Sequence, residues 1–489
     1  MVSTIVFAGE MPAATISGRV ARDELRQLAR GVYTTDVRSK PTDVVKREWH
    51  TIVGGLLPEG IITDRSAPTG GPVDGVLYLA HAARDRAIEL PGMTMLARSG
   101  AGPLDGDIRL PGGLYQASKG RGLAENTRPS RARSRSTRRT LDETELGDWV
   151  DRLCQIDGEE KLANYRGQAE RVADAVGASP AAMRLLSQMI GAALGTQQAD
   201  TGSKALRARQ ARLPYDHDRL RRFGLLIDAL RASAPQNRPA GQGSQRYAHL
   251  AFFEAYFSNF IEGTEFEIDE AVAIVYQGKK LPGRTDDSHD LLGTYRIVSD
   301  PDEMTTTASN PDEFLRLLRT RHATIMSGRP EKNPGTFKQA DNRAGTTSFV
   351  SHGLVPGTLT AGWQRLAELD TAFERSVFMM FLVSEVHPFD DGNGRLARVM
   401  MNAELVTGQQ SRIIIPTVYR DDYLGALRRL SRQDDPSVLI KTLRYAQDYT
   451  AQIDFTDLDN AIQQFDRTNA FNEPESDERL ILPRRAESI

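Results

Sequence analysis

His387-Pro388-Phe389-Asp390-Asp391-Gly392-Asn393-Gly394-Arg395-Leu396-Ala397-Arg398 is the stretch on which the reading of this chain turns. Residues 373–386 before it run Phe-Glu-Arg-Ser-Val-Phe-Met-Met-Phe-Leu-Val-Ser-Glu-Val without a helix breaker, which predicts an apolar helix. Pro388 and the two glycines end that helix in a tight loop, and a second helical pattern opens at Arg395. A loop entering a helix gathers backbone N–H groups and the positive end of the helix dipole, which is the geometry of an anion site. Gly392 and Gly394 allow the backbone, with Asn393 between them, to approach phosphate oxygens closely. Arg395 and Arg398 are three apart on the first helical turn and can reach one polyphosphate. Asp391 offers a hard oxygen suited to Mg²⁺, which usually rides on phosphates with one or two carboxylates. His387 is a candidate base because an ordinary histidine titrates near neutrality. No Walker A loop occurs anywhere in the chain. Each part alone recurs in ordinary turns and helix ends; the conjunction does not.

His387 through Arg398 resemble the signature of the Fic-domain family, His-Pro-Phe-x-(Asp/Glu)-Gly-Asn-Gly-Arg-x-x-Arg, at every specified position. Weaker similarity runs over about 244–450. The resemblance implies a mainly α core that transfers AMP from ATP to a protein hydroxyl with release of pyrophosphate. It implies His387 as the base that takes the proton of a Ser, Thr or Tyr hydroxyl. Asp391 would hold Mg²⁺ between the α- and β-phosphates, and Gly392, Asn393 and Gly394 would form the anion hole. Arg395 would contact the phosphates and Arg398 the γ-phosphate.

Ser258-Asn259-Phe260-Ile261-Glu262-Gly263 matches the family's inhibitory motif (Ser/Thr)-x-x-x-Glu-(Gly/Asn). Ser258 and Glu262 share a helix face, Gly263 suits a C-cap, and the resemblance implies that Glu262 pairs with Arg398. Residues 338–350, with Asn342, Thr346 and Thr347, sit where the family has a β-hairpin flap that aligns a target by strand addition. Two positions depart from relatives near the base pocket: a Tyr-Tyr pair reads Tyr423-Leu424, and an asparagine reads Ser431.

The 489 residues suggest several domains. Residues 1–127, rich in Gly, Val, Leu and turn signals, read as a small α/β domain. Within it Arg22–Arg30 reads as a helix closed by Gly31 and followed by a strand. Leu28–Tyr33 and Ile61–Ala67 faintly resemble AbiEi-type regulator domains with a winged-helix-like start, which admits DNA or a partner protein as ligand. Residues 128–141 read as a basic linker, with six arginines in Arg128–Arg139 that are a hinge or a nucleic-acid contact. Residues 142–243 read as a helical connecting region, 244–450 as the Fic domain with its inhibitory helix, and 451–489 as a last helix and a disordered tail.

Net charge of −3 excludes a histone-like or wholly acidic protein, and the single cysteine, Cys154, excludes a disulfide framework. No cationic leader and no apolar run near membrane length occur, so a cytoplasmic location without membrane contact is expected. The leading expectation is an autoinhibited protein adenylyltransferase using ATP and Mg²⁺ on a hydroxyl-bearing protein, itself included. The alternatives are removal of AMP from such a protein, or a DNA-binding, antitoxin-like regulator that uses the core as a sensor. A phosphohydrolase built on His289-Asp290 lacks the further spaced ligands it would need.

Overall fold

The computed structural model describes residues 3–83, 85–130, 138–240, 248–279 and 281–483. The chain divides into two compact units, Met1–Ala211 and Arg212–Ile489.

Unit 1 begins with β1 (Ile5–Phe7), α1 (Ala13–Ala21), β2 (Arg26–Ala29), β3 (Val32–Thr34) and α2 (Pro41–Leu56). Then come β4 (Ile61–Ile62), β5 (Val76–His81), β6 (Arg86–Leu90), β7 (Met93–Ser99), β8 (Ile108–Arg109) and β9 (Tyr115–Gln116). Helices α3 (Lys119–Asn126), α4 (Glu143–Asp157), α5 (Glu159–Val176), α6 (Pro180–Ala193) and α7 (Lys204–Gln210) complete it. A three-stranded sheet has the order β1-β3-β2 and a second the order β6-β7-β5-β4-β9-β8. In the second, β5 pairs parallel with β7 and β4 with β9. Val44, Ile52 and Val53 of α2 pack on Leu77, Leu79 and Met95 of the sheet, while α3–α7 bury Trp149, Leu162, Met189 and Leu206 in a neighbouring cluster.

The α/β reading of the N-terminal region holds, but Arg22–Arg30 is not a helix. The helix lies earlier, at α1, and Arg26–Ala29 pairs antiparallel with β3. Gly31, at φ 76°, makes the hairpin turn, and Leu25 and Leu28 go inward; the tight turn outweighs the helix propensity of the preceding residues. Asp64, in the Ile61–Ala67 stretch, is buried beneath Arg98 at 2.9 and 3.0 Å, so this stretch serves the interior. Within the arginine run, residues 131–137 lie outside the described residues. Its ends are tied down: Arg128 Nη1 donates to Val176 O at 2.9 Å and Arg139 Nη1 to Asp64 Oδ2 at 3.2 Å.

Unit 2 is mainly helical, as expected. It comprises α8 (His217–Ala232), α9 (Leu250–Ile261), α10 (Ile268–Gln277), α11 (Thr285–Val298), α12 (Pro301–Thr305) and α13 (Pro311–Ile325). A short hairpin, β10 (Arg343–Ala344) and β11 (Thr347–Ser348), precedes α14 (Val355–Gln364), α15 (Ala372–Val386) and α16 (Asn393–Thr407). Helices α17 (Arg420–Gln433), α18 (Ser437–Thr450) and α19 (Leu458–Arg467) follow. Thr371 and Glu374 start α15 with a reciprocal capping box. Its Val377, Phe378, Phe381 and Leu382 are fully buried, which is why its sequence shows no polar stripe.

Helix α8, from the stretch read as connecting, contributes Phe223, Leu226 and Ile227 to the same core. The tail also differs from the expected disorder as far as residue 483. Ala470 is buried, Leu480 is 8% exposed, and Tyr445 Oη donates to Leu480 O at 2.8 Å, because the segment covers apolar surface of α18. Among the described residues no helix is long and apolar enough to cross a membrane.

Candidate active site

Helix α15 stops where His387 turns left-handed, at φ 51° and ψ 61°. Pro388 then prevents its continuation. Gly392, at φ 71°, caps the start of α16. Between them Asn393 staples the loop to itself: its Oδ1 accepts from Phe389 N and its Nδ2 donates to Phe389 O, both at 2.9 Å.

An open cleft of about 370 Å³ lies over this loop. Its walls come from the end of α9 (Ile261, Glu262), the hairpin region (Ala344, Thr347, Phe349), the end of α15 (Phe381, Ser384, Glu385, His387), α16 (Gly394, Arg398) and one stripe of α17. That stripe, Arg420, Tyr423, Leu424, Leu427, Arg428 and Ser431, follows helical spacing, so one face of one helix forms a whole wall.

His387 is half-buried and stacks on Phe349 with ring centroids 3.7 Å apart. Burial first, and then the Lys338 ammonium, push its pKa down to about 4, so the ring is neutral at pH 7. Lys338 is itself buried and lowered to about 8 by burial, with Nζ donating to Asn342 Oδ1 at 2.6 Å. Lys338 and Phe349 carry no motif of their own in the sequence, and only packing brings them to His387.

Arg398 is 4% exposed. Its Nε donates to Ser258 Oγ at 2.9 Å, and its Nη2 donates to Ser258 O at 2.8 Å and Glu262 Oε1 at 2.7 Å. The same Glu262 oxygen lies where a Cβ on Gly394 would stand, 2.1 Å from that position. Sequence and structure thus bring Ser258, Glu262, Gly394, Arg398 and His387 together in one place.

Other expected residues sit differently. Arg395 is 2% exposed and faces the interior, with Nη1 2.8 Å from Asp290 Oδ2 and Nη2 3.3 Å from Met326 Sδ. In this conformation its guanidinium ties α16 to α11 and to Met326, the residue that caps the end of α13. The Asp391 carboxylate takes the Gly392 N–H on Oδ1 at 2.7 Å. Asn342 braces the loop by donating to Phe389 O at 3.1 Å. Thr347 lines the cleft and its Oγ1 accepts from Arg432 at 2.7 Å, whereas Thr346 lies in the exposed hairpin turn.

Glu385 is the polar residue two before His387, and nothing in the sequence marks its partners. Its Oε1 lies 2.7 Å from Arg222 Nη1 and 3.0 Å from Arg219 Nη1, and its Oε2 accepts from Ser431 Oγ. Ser431, one of the two departures near the base pocket, is therefore anchored on a buried carboxylate.

Mg²⁺ fits this donor set in one way only. Among the described residues no group of three or more His, Cys, Asp or Glu side chains could hold a metal ion. Asp391 supplies a single carboxylate beside the loop, a donor set that would suit an ion taking its other oxygens from phosphates and water.

The protein adenylyltransferase Fic of Drosophila willistoni is 26% identical over 223 residues, 42% of this chain and 43% of that protein. A Nematostella vectensis protein of the same name is 25% identical over 251 residues, 47% of this chain and 56% of the relative. The chain thus spans about half the length of these relatives. Among solved structures, Fic-1 (aa134–508) from C. elegans aligns over 64% of this chain and 87% of its own, at 14% identity and a TM-score of 0.37. The sequence model of the Fic/DOC family matches residues 314–405, the span from α13 to α16 that carries the loop.

Proposed function

We propose that unit 2 is a protein adenylyltransferase held back by Glu262. The observation that carries this reading is the Arg398 guanidinium, shared between Ser258 and Glu262 at the wall of the cleft that His387 also lines. ATP is the nucleotide and a protein Ser, Thr or Tyr hydroxyl the acceptor. His387, neutral and held by Phe349, takes the hydroxyl proton as the oxygen attacks the α-phosphorus. A new P–O bond forms, the bond to the bridging oxygen between the α- and β-phosphorus breaks, and pyrophosphate leaves. The Gly392–Gly394 backbone and the α16 dipole offset charge on the phosphates, and Arg398, once released by Glu262, holds the γ-phosphate. Bound at Asp391, Mg²⁺ would supply further charge neutralisation.

While Glu262 occupies Arg398, the γ-phosphate has no partner there and the α-phosphate lies out of line for attack. The carboxylate also fills the space beside Gly394 that a phosphate oxygen would enter. A charged hydrogen bond in a partly buried site is worth about 1.5–3 kcal/mol, so its removal should raise the rate about 10–100-fold. The test incubates wild type and Glu262→Gly with ATP labelled at the α- or the γ-phosphate. The α label should pass to protein, self-modification included, faster in the variant, and no γ label should pass. Equal α labelling in both proteins, with nucleotide bound, defeats the restraint; transfer of γ label defeats the reaction.

A further inference from the structure

The loop between α15 and α16 is braced from the segment 322–342, which presents donors to its carbonyls. Lys338 N donates to Pro388 O at 2.9 Å, Asn342 Nδ2 to Phe389 O at 3.1 Å, and His322 Nε2 to Asp391 O at 3.0 Å. The last of these bears directly on the Asp391 carboxylate.

His322, on α13, is fully buried and stacks on Phe389 with centroids 3.7 Å apart and planes 5° from parallel. Gly335 N donates to its Nδ1 at 2.9 Å. Nδ1 is therefore an acceptor, the ring proton is on Nε2, and it points at Asp391 O. In a trans peptide the C=O and N–H point opposite ways. Holding the Asp391 carbonyl against His322 thus aims the Gly392 N–H away from the ring, where it donates to Asp391 Oδ1 at 2.7 Å. One ring proton orients one peptide plane, and that plane orients one carboxylate.

We propose that His322 is a positioning residue: through the Asp391–Gly392 peptide it sets the Asp391 carboxylate for Mg²⁺ carried on the nucleotide. This rests on the ATP-dependent reading of the cleft. It assigns α13 a part in the site that neither the signature nor the inhibitory motif contains.

Two near-isosteric substitutions separate positioning from packing. In His322→Asn the side-chain oxygen stands near Nδ1 and can still accept from Gly335, but nothing reaches Asp391 O. In His322→Gln the amide N–H stands near Nε2 and can still reach Asp391 O, but the Gly335 contact is lost. Both are made in the Glu262→Gly protein. ATP affinity is measured by calorimetry with Mg²⁺ and with chelator, beside kcat, KM and melting temperature. His322→Asn should lose about 10–100-fold in Mg²⁺-dependent ATP affinity and in kcat, with chelated ATP affinity within about twofold of its parent. His322→Gln should recover at least about tenfold of that loss although it also gives up one hydrogen bond. If the two variants fall together in step with their melting temperatures, or if Asn keeps the parent's full Mg²⁺ response, His322 is packing and the proposal is overturned. A parent that binds Mg·ATP but transfers no label sinks the proposed reaction alone, since the binding comparison still decides His322. A parent with no Mg²⁺-dependent binding overturns both.

Discussion

His387 stands in an environment that changes its chemistry. Burial and the nearby Lys338 ammonium favour the neutral ring, lowering its pKa to about 4 from an ordinary 6.5. A base works only when unprotonated, so the sign is clear: transfer should stay level as pH falls through 6.5 and drop only on approaching 4. A pH–rate profile of the Glu262→Gly enzyme with α-labelled ATP checks this; an acid limb at 6.5 would mean that the ring is solvated during turnover. Lys338→Met removes a cation that lowers the histidine and should move the limb upward. His387→Ala should cost about 10²–10⁴-fold in rate while nucleotide affinity, measured by calorimetry, stays near that of its parent. Arg398→Ala should not reproduce the gain of Glu262→Gly, because it removes the γ-phosphate partner together with the restraint.

At the scale of the element, the unit that matters is the turn between α15 and α16. It reverses the chain in few residues by placing His387 and Gly392 in left-handed conformations, at φ 51° and 71°. Glycine adopts that conformation freely, and any other residue does so at a cost of about 1–2 kcal/mol. A Cβ on Gly392 would also stand 2.6 Å from Met326 Sδ and 3.0 Å from Met326 Cγ. Gly392→Ala should therefore destabilise unit 2 by about 2–4 kcal/mol, strain and overpacking together, and lower Mg²⁺-dependent ATP affinity. Chemical denaturation with parallel calorimetry would show both effects. Wild-type stability in that variant would mean that the turn can relax without loss.

At the scale of the whole molecule, each unit has its own apolar core, and the tryptophans divide between them: Trp49 and Trp149 in unit 1, Trp363 in unit 2. Leu382 is fully buried on α15, and truncating it leaves a cavity that costs about 2–5 kcal/mol. Leu382→Ala should lower the denaturation midpoint reported by Trp363 more than the midpoint reported by Trp49 and Trp149, read in single-tryptophan backgrounds. Equal shifts from both sets of probes would show that the chain unfolds as one block.

The sequence by itself determined the helix–loop–helix around His387–Arg398, the short helix end carrying Ser258 and Glu262, and the mainly helical character of unit 2. These follow from local rules: helical apolar spacing, proline and glycine as breakers, and chemistry-bearing side chains within a dozen residues of each other. Local rules also account for the error at Arg22–Arg30, where helix propensity was read and strand pairing prevailed. Only the tertiary structure decided which side chains face the cleft. Arg395 and Arg398 look equivalent in sequence, three residues apart on one turn, yet Asp290 from α11 draws the first inward and Glu262 from α9 holds the second at the wall. His322 and Glu385 stand among ordinary helix residues and acquire their partners from elements far along the chain. The physical reason is the range of the interactions. Backbone conformation follows from neighbours a few residues away, whereas burial, pairing and pKa follow from neighbours in space, which packing alone assembles.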